Sequence, residues 1–337
     1  MKSLMQIERV DCMEKVTMAD VAKEAGVSKS TVSQFLNKRF EYMGEKTKQK
    51  IEEAIEKLGY QPNYIARSLK QKRTSMVGII VANIMHYLST EISRAIEDFC
   101  QDHDLHAIVC NADDNPEKEK RYIEMLRAKQ VDGLIIFPTG QNNDLYESMI
   151  KQGYPVVFVD RRVENLDAFS VLTDNVMSTY RAIQSLIAKG HQNIAFAVQP
   201  LTVSTRRDRL EGYKKAMIDA GLKVTDEFII ESSISEMQGK LEKLFSLKER
   251  PTALFAGNDR VFLAVVEFLK EKGLKLGKDV ELIVFDNIPF AHLVETPISF
   301  IVQPASEMGR KAAELLFDQI NKVEREPEEF VFPSQMV

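Results

Sequence analysis

A chain of 337 residues accommodates two or three domains, and 44% hydrophobic residues suffice for sizeable cores. Cys12, Cys100 and Cys110 make neither a CxxC pair nor an even-numbered disulfide framework. With no secretory signal and no apolar run near the roughly 18 residues of a membrane span, the sequence predicts a reduced, cytoplasmic protein with no membrane partner. The net charge of −5 is polarised: residues 1–74 hold 15 Lys/Arg against 10 Asp/Glu, whereas residues 75–337 hold 30 against 40. A basic N-terminal segment can release counterions from phosphates, and an acidic body is repelled by them.

Residues 17–37 read TMADVAKEAGVSKSTVSQFLN. Thr17 followed by Asp20 is a capping-box-like start, so a first helix is predicted over Met18–Ala25, ended by Gly26. Ser28 can cap a second helix in which Val32, Phe35 and Leu36 recur at helical spacing, leaving Lys29, Ser30, Ser33 and Gln34 outward. Two short helices around a glycine turn, the second with a polar and non-acidic face, fit a helix-turn-helix that enters a major groove; spacing alone also fits an ordinary helical hairpin. A third helix is predicted from Glu45 to Leu58, closed by Gly59 with Pro62 beyond. The segment NYIARSLKQKR, residues 63–73, then gathers Arg67, Lys70, Lys72 and Arg73 around Leu69. As a charge pattern it is equally a basic linker.

From Met76 onward, short apolar runs alternate with amphipathic segments: MVGIIVA, LHAIVC, DGLIIF, PVVFV, NIAFAV, TALFA and ELIVFD. Continuous runs of this kind are strands buried on both faces, and helices between them imply parallel βαβ units. Seven such strands exceed one compact sheet, so two similar lobes are expected. The 15 glycines form neither G-x-G-x-x-G nor a G-x-x-x-x-G-K-[ST] loop, H-E-x-x-H and G-x-S-x-G are absent, and the five histidines are scattered. Dinucleotide, nucleoside-triphosphate and common hydrolytic chemistry thus lack their motifs, and no cofactor is expected. A scattered catalytic histidine, or a secreted sugar receptor of the same fold, remains as an alternative class.

The wording DVAKEAGVSKSTVSQFLN, the helix after it, YQPNYIARSLK and the long α/β remainder together resemble the LacI/GalR family of bacterial transcriptional regulators, from about Val16 to the end. Two departures stand out: the loop 38–44 is one residue longer than the usual form, and residues 1–15 precede the usual start, with Met13 a candidate initiator. The YMGEKT and ARSLKQKRT wording is also similar to regulators of hexuronate and ketodeoxygluconate use. The resemblance implies an all-α helix-turn-helix headpiece (1–62), a hinge helix (63–74) and an effector-binding and dimerisation domain (75–337). That domain would consist of two doubly wound α/β lobes of periplasmic-binding-protein type, discontinuous in sequence, with crossings near Asp174, Gln303 and Val331.

A homodimeric repressor on a near-palindromic double-stranded operator is therefore expected. Lys29, Ser30 and Gln34 are the base-reading candidates, because an amide pairs bidentately with adenine and an ammonium reaches guanine acceptors. Thr17, Thr31, Ser33 and Asn37 would sit on phosphates. By the same resemblance Arg67 and Lys70 join the DNA contacts, and Leu69 wedges into the minor groove from a helix that forms on DNA.

Effector positions carried over from the family are Arg209 and Asp286, whose guanidinium and carboxylate suit ligand hydroxyls, with Thr205, Asn258 and Arg161. Leu88 and Ser89 stand where two aromatics commonly pack on the ligand, and Asn83 replaces the usual Asp. Arg209 and Asp286 could instead form a structural pair across the cleft, Asn258 and Thr205 could equally cap helices, Leu88 could be core, and Asp174 could serve the pocket or the crossover. A sugar or sugar-acid inducer is the first expectation, with Arg161, Arg162 and Arg209 available to a carboxylate. A nucleobase corepressor or a phosphoprotein partner is the alternative.

Overall fold

A computed structural model describes residues 16–41, 43–61, 73–289 and 298–337. They fall into two compact units, divided between Thr74 and Ser75. Arg67, Leu69, Lys70 and the rest of the expected hinge up to residue 72 lie outside the described residues, as do residues 1–15.

In the first unit, helices α1 (Met18–Ala25), α2 (Lys29–Leu36) and α3 (Glu45–Leu58) enclose a small core. Val21, Ala22 and Ala25 of α1 meet Val32 of α2 and Ile51 and Ala54 of α3, with Tyr60 closing the end. Asp20 accepts hydrogen bonds from the backbone and the hydroxyl of Thr17, at 2.8 and 2.7 Å, fixing the start of α1. Gly26 takes φ +67° to reverse the chain, a conformation an L side chain rarely adopts. The loop after α2 uses Lys38 at φ +56°, and Phe40 packs edge-on against Phe35 with Lys48 over its ring.

The second unit carries two six-stranded sheets. The first lobe holds β1 (Met76–Val81), β2 (His106–Asn111), β3 (Gly133–Ile136), β4 (Val156–Val159) and β5 (Ser170–Thr173), with β11 (Glu329–Phe332). Their order is β11-β5-β4-β3-β1-β2, every pair parallel. Helices α4 (Tyr87–Asp102), α5 (Pro116–Ala128), α6 (Asn143–Lys151) and α11 (Ala305–Ile320) belong with it. The second lobe holds β6 (Ile194–Val198), β7 (Ile229–Glu231), β8 (Ala253–Ala256), β9 (Glu281–Phe285), β10 (Ser299–Val302) and β12 (Gln335–Met336). Its order is β12-β10-β9-β8-β6-β7, with β12 antiparallel to β10. Its helices are α7 (Asn175–Ala188), α8 (Ser204–Asp219), α9 (Ile234–Phe245) and α10 (Asp259–Glu271).

Each central strand is apolar on both faces because each sheet separates two cores. Along β1, Val77, Ile79 and Val81 enter the core shared with α4 and α11, while Ile80 enters the one shared with α5 and α6. Five strands beyond the seven apolar runs complete the sheets: β5, β7, β10, β11 and β12. The chain passes between lobes at Asp174, at 303–304 and at 333–334, the last two residues beyond Val331. Asp174 caps α7 by accepting from Met177 N at 3.0 Å and donates its own N–H to Phe332 O, so its side chain serves the crossover. Among the described residues no helix is long and apolar enough to cross a membrane.

Helices α7 and α8 approach so closely that a Cβ on Gly212 would collide with the Val176 carbonyl and lie 3.0 Å from Thr179 Cβ. The obstructing atom is backbone and cannot rotate away. Gly212→Ala is therefore expected to destabilise this domain by about 1–3 kcal/mol in urea denaturation, despite the better helix propensity of alanine.

Candidate functional site

The outward face of α2 is the first candidate surface. Lys29, Ser30 and Gln34 are exposed there, and Lys29 and Gln34 have no side-chain partner among the described residues. Ser28 caps the helix by accepting from Thr31 N at 3.1 Å, and its hydroxyl also meets those of Ser30 and Thr31 at 2.7 and 2.8 Å. Asn37 closes the other end, donating to Ser33 O at 2.6 Å. Thr17 is committed to Asp20. The two longest polar side chains, those of Lys29 and Gln34, are thus the free ones.

The second candidate is the cleft between the two lobes, where loops leaving the carboxyl ends of strands from both sheets converge, as doubly wound sheets require of a ligand site. A cavity of about 30 Å³ is lined by Leu88 and Ser89 of α4, Arg161 after β4, Thr205 and Arg209 of α8, Asn258 after β8 and Asp286 after β9. All seven effector positions expected from the sequence come together here. The same cavity is also lined by His86, Asp160 and Arg206.

Arg209 is buried and lies over the Phe285 ring, its guanidinium carbon 3.6 Å from the centroid. Its Nε donates to Asn175 Oδ1 at 2.8 Å and its Nη1 to the Gly257 carbonyl at 2.6 Å, leaving Nη2 for the cleft. Arg209 and Asp286 both belong to the second lobe, and no ion pair within 4.0 Å joins them. Asp286 accepts from Gln303 Nε2 at 2.5 Å, with φ +105° at its backbone. Asp160 is its counterpart in the first lobe, also at positive φ (+69°) after a strand's carboxyl end. Left-handed backbone at two non-glycine positions facing one cleft is strain held by the surroundings. Two acceptors, Asp160 Oδ1 and Gln303 Oε1, and one donor, Arg161 Nε, are buried without a hydrogen-bond partner.

Arg161 differs from its expected role. Its Nη2 is 2.9 Å from Asp114 Oδ1, its Nη1 donates to the Pro138 carbonyl at 3.1 Å, and its Nε lies 3.6 Å from Asp160. Its charge is matched inside the first lobe. Arg162 is half-exposed and pairs with Glu329 at 2.9 Å and with Asp208 at 3.6 Å, so it stays outside the cavity. Asn258 caps α10 by accepting from Val261 N at 2.9 Å and donates to Gln199 at 2.7 Å. Leu88 joins the hydrophobic core of the first lobe while also touching the cavity. Asn83 accepts from Met85 N at 3.0 Å and shapes the loop before α4.

Sequence reasoning missed His86, Asp160, Arg206 and Gln303. Asp160 carries a readable signal, since VVFVD ends a strand run just as IVFD does before Asn287. His86 carries none, because its partner Asp259 is 173 positions away.

The cleft also sets a pH dependence. Burial pushes the Asp286 carboxyl up from its ordinary 3.8 to about 7, with the Arg209 charge opposing the rise. The folded protein thus holds this proton more tightly than the unfolded chain, and stability falls as pH rises from about 4 through about 7. Asp286→Asn is expected to match the parent at or below about pH 4 and to melt at an increasingly higher temperature than it as pH rises to about 8 by differential scanning fluorimetry; parallel curves would contradict the shift.

Comparison with known proteins places these two regions in one family. The family model described as bacterial regulatory proteins, lacI family, matches residues 17–63, and the model described as periplasmic binding proteins and sugar binding domain of LacI family matches residues 74–336. The probable HTH-type transcriptional regulator EndR of Paenibacillus polymyxa is 45% identical over 316 residues, 93% of either chain. Catabolite control protein A of Priestia megaterium is 36% identical over 310 residues, 91% of this chain and 93% of its own. Among solved structures, the Lac repressor bound to ONPG in the repressed state superposes with a TM-score of 0.84 at 25% identity, covering 96% of this chain and 98% of its own. The chain belongs to the LacI family of bacterial regulatory proteins: it is a DNA-binding transcriptional regulator with a helix-turn-helix and a periplasmic-binding-protein-like domain.

Proposed function

We propose that the protein is a homodimeric repressor whose affinity for a near-palindromic operator is set by a neutral sugar bound between the lobes. The observation that carries the ligand class is the set of leftover polar atoms in and beside the cavity: acceptors Asp160 Oδ1 and Gln303 Oε1, and the donor Arg161 Nε. A sugar hydroxyl both donates and accepts, so a ring bearing several of them can satisfy such a mixed set. A sugar acid finds less support. Arg161 is already paired, Arg162 lies outside, and two carboxyl groups, Asp160 and Asp286, line the space in which a ligand carboxylate would sit. A nucleobase would need an aromatic wall, and Leu88 and Ser89 supply none.

The cavity of about 30 Å³ has room for little more than water, so a sugar enters only if the lobes part. Effector control then follows from any difference in its affinity for the two lobe arrangements. A thermal-shift screen of the full chain tests the class with neutral monosaccharides and disaccharides, hexuronates, sugar phosphates and purines. A neutral sugar at a hundredfold excess over its Kd should stabilise by about 2.7 kcal/mol, read as a rise of several degrees. That rise should be lost in Asp160→Ala and in Gln303→Ala. Stabilisation by hexuronates or purines alone would remove the neutral-sugar reading.

On the DNA side, Lys29 and Gln34 are the readers and Thr17, Ser30, Thr31, Ser33 and Asn37 orient the headpiece. Gln34→Ala is expected to weaken binding to the selected operator by about 1–3 kcal/mol in a gel-shift titration, with non-specific binding nearly unchanged. A uniform loss on all sequences would instead make Gln34 a phosphate contact.

A further inference from the structure

Helix α4 of the first lobe begins at Tyr87 after His86, and His86 gives it no side-chain cap. The cap comes from the other lobe. Asp259, the first residue of α10, accepts from Tyr87 N through Oδ2 at 2.9 Å. Its Oδ1 lies 2.6 Å from His86 Nδ1 and accepts from Arg260 N at 2.7 Å. Asp259 is 6% exposed and His86 9%. His86 and the two backbone amides hold the Asp259 carboxyl below its ordinary value against the cost of burial, so it sits there as a carboxylate.

We propose that Asp259 is an inter-lobe latch: it caps α4 of the opposite lobe and holds the His86 ring in the cleft, so that the closed arrangement persists without a ligand. Parting the lobes strips α4 of the acceptor for its first N–H and strands a carboxylate that closure had paired. An effector that needs an open cleft works against this latch, and one that bridges closed walls adds to it. Because Nδ1 is engaged by Asp259, His86 presents Nε2, which has no partner among the described residues, to whatever occupies the cleft. The latch deepens the reading of this cleft as the effector site, and its test uses no effector, so it fails or succeeds apart from the sugar assignment.

Two amides report on closure from separate places. Tyr87 N lies at the latch, whereas Arg162 N, in the first lobe, donates to Ser204 Oγ of the second at 2.8 Å. Hydrogen exchange on the full chain without DNA or effector should show both amides exchanging roughly fivefold faster or more in Asp259→Ala, with Leu126 in the α5 core unchanged. His86→Ala should accelerate both by a smaller factor. Acceleration of Tyr87 alone would make Asp259 a local cap and overturn the latch, as would unchanged exchange at both. If Asp259→Ala does not fold cooperatively, Asp259→Asn, which keeps one acceptor oxygen but loses the charge, gives the same reading: both amides faster supports the latch, and Tyr87 alone or neither overturns it.

Discussion

Charge buried at the seam between the lobes is the constraint on which the rest of the effector domain depends. Arg161, Arg206 and Arg209 lie at 4–7% exposure beside Asp259 and Asp286 at 5–6%. Ions removed from water at that depth cost several kcal/mol each unless closely paired and hydrogen-bonded. The fold meets this by division. Arg161 takes Asp114 within its own lobe, Arg209 takes carbonyl and amide oxygens and the Phe285 ring, and Asp259 takes backbone amides and His86. Arg206, with its guanidinium lowered to about 10 chiefly by burial, leans on Pro200 O and stands 4.0 Å from Asp114 across the seam. Asp286 is left least compensated and answers by retaining its proton.

That uneven compensation makes the cleft responsive. A seam of hydrocarbon would close tightly and stay closed, while one of fully matched ion pairs would gain little from a ligand. Here Arg161 and Asp114 are matched within one lobe, His86 and Asp259 are matched across the seam, and polar atoms such as Asp160 Oδ1 are left unmatched beside the shared space. A polar ligand can replace lost hydration at those atoms without displacing the pairs that hold each lobe together.

The legibility of the sequence followed the locality of the signal. Helices α1 to α3 could be read to their ends because capping residues and glycines mark them within four positions. Seven strands were visible as apolar runs: six are buried on both faces, and the seventh, β2, shows the same kind of run although it is an edge strand with Val109 exposed. Strands β10, β11 and β12 were not, since each lies at or near a sheet edge with mixed or exposed positions, and β7 is only three residues long. Arg209 and Asp286 were found from strand-end position and family likeness together. The pairing that changes the meaning of Arg161 could not be, because Asp114 precedes it by 47 residues and only the packing of β2 and β4 loops brings the two together.

The order in which the sheets are completed has a consequence for synthesis. Strand β11 extends the first sheet along β5, and β12 extends the second along β10, yet the two are separated only by residues 333 and 334. A nascent chain emerging from the ribosome therefore carries both lobes with an unfilled sheet edge until residues 329–336 have emerged. Neither lobe can finish ahead of the other. Exposed edges invite pairing with foreign strands, so the interval before residues 329–336 emerge is when this protein most needs protection from its neighbours. A ribosome that stalls just short of them releases two incomplete lobes at once.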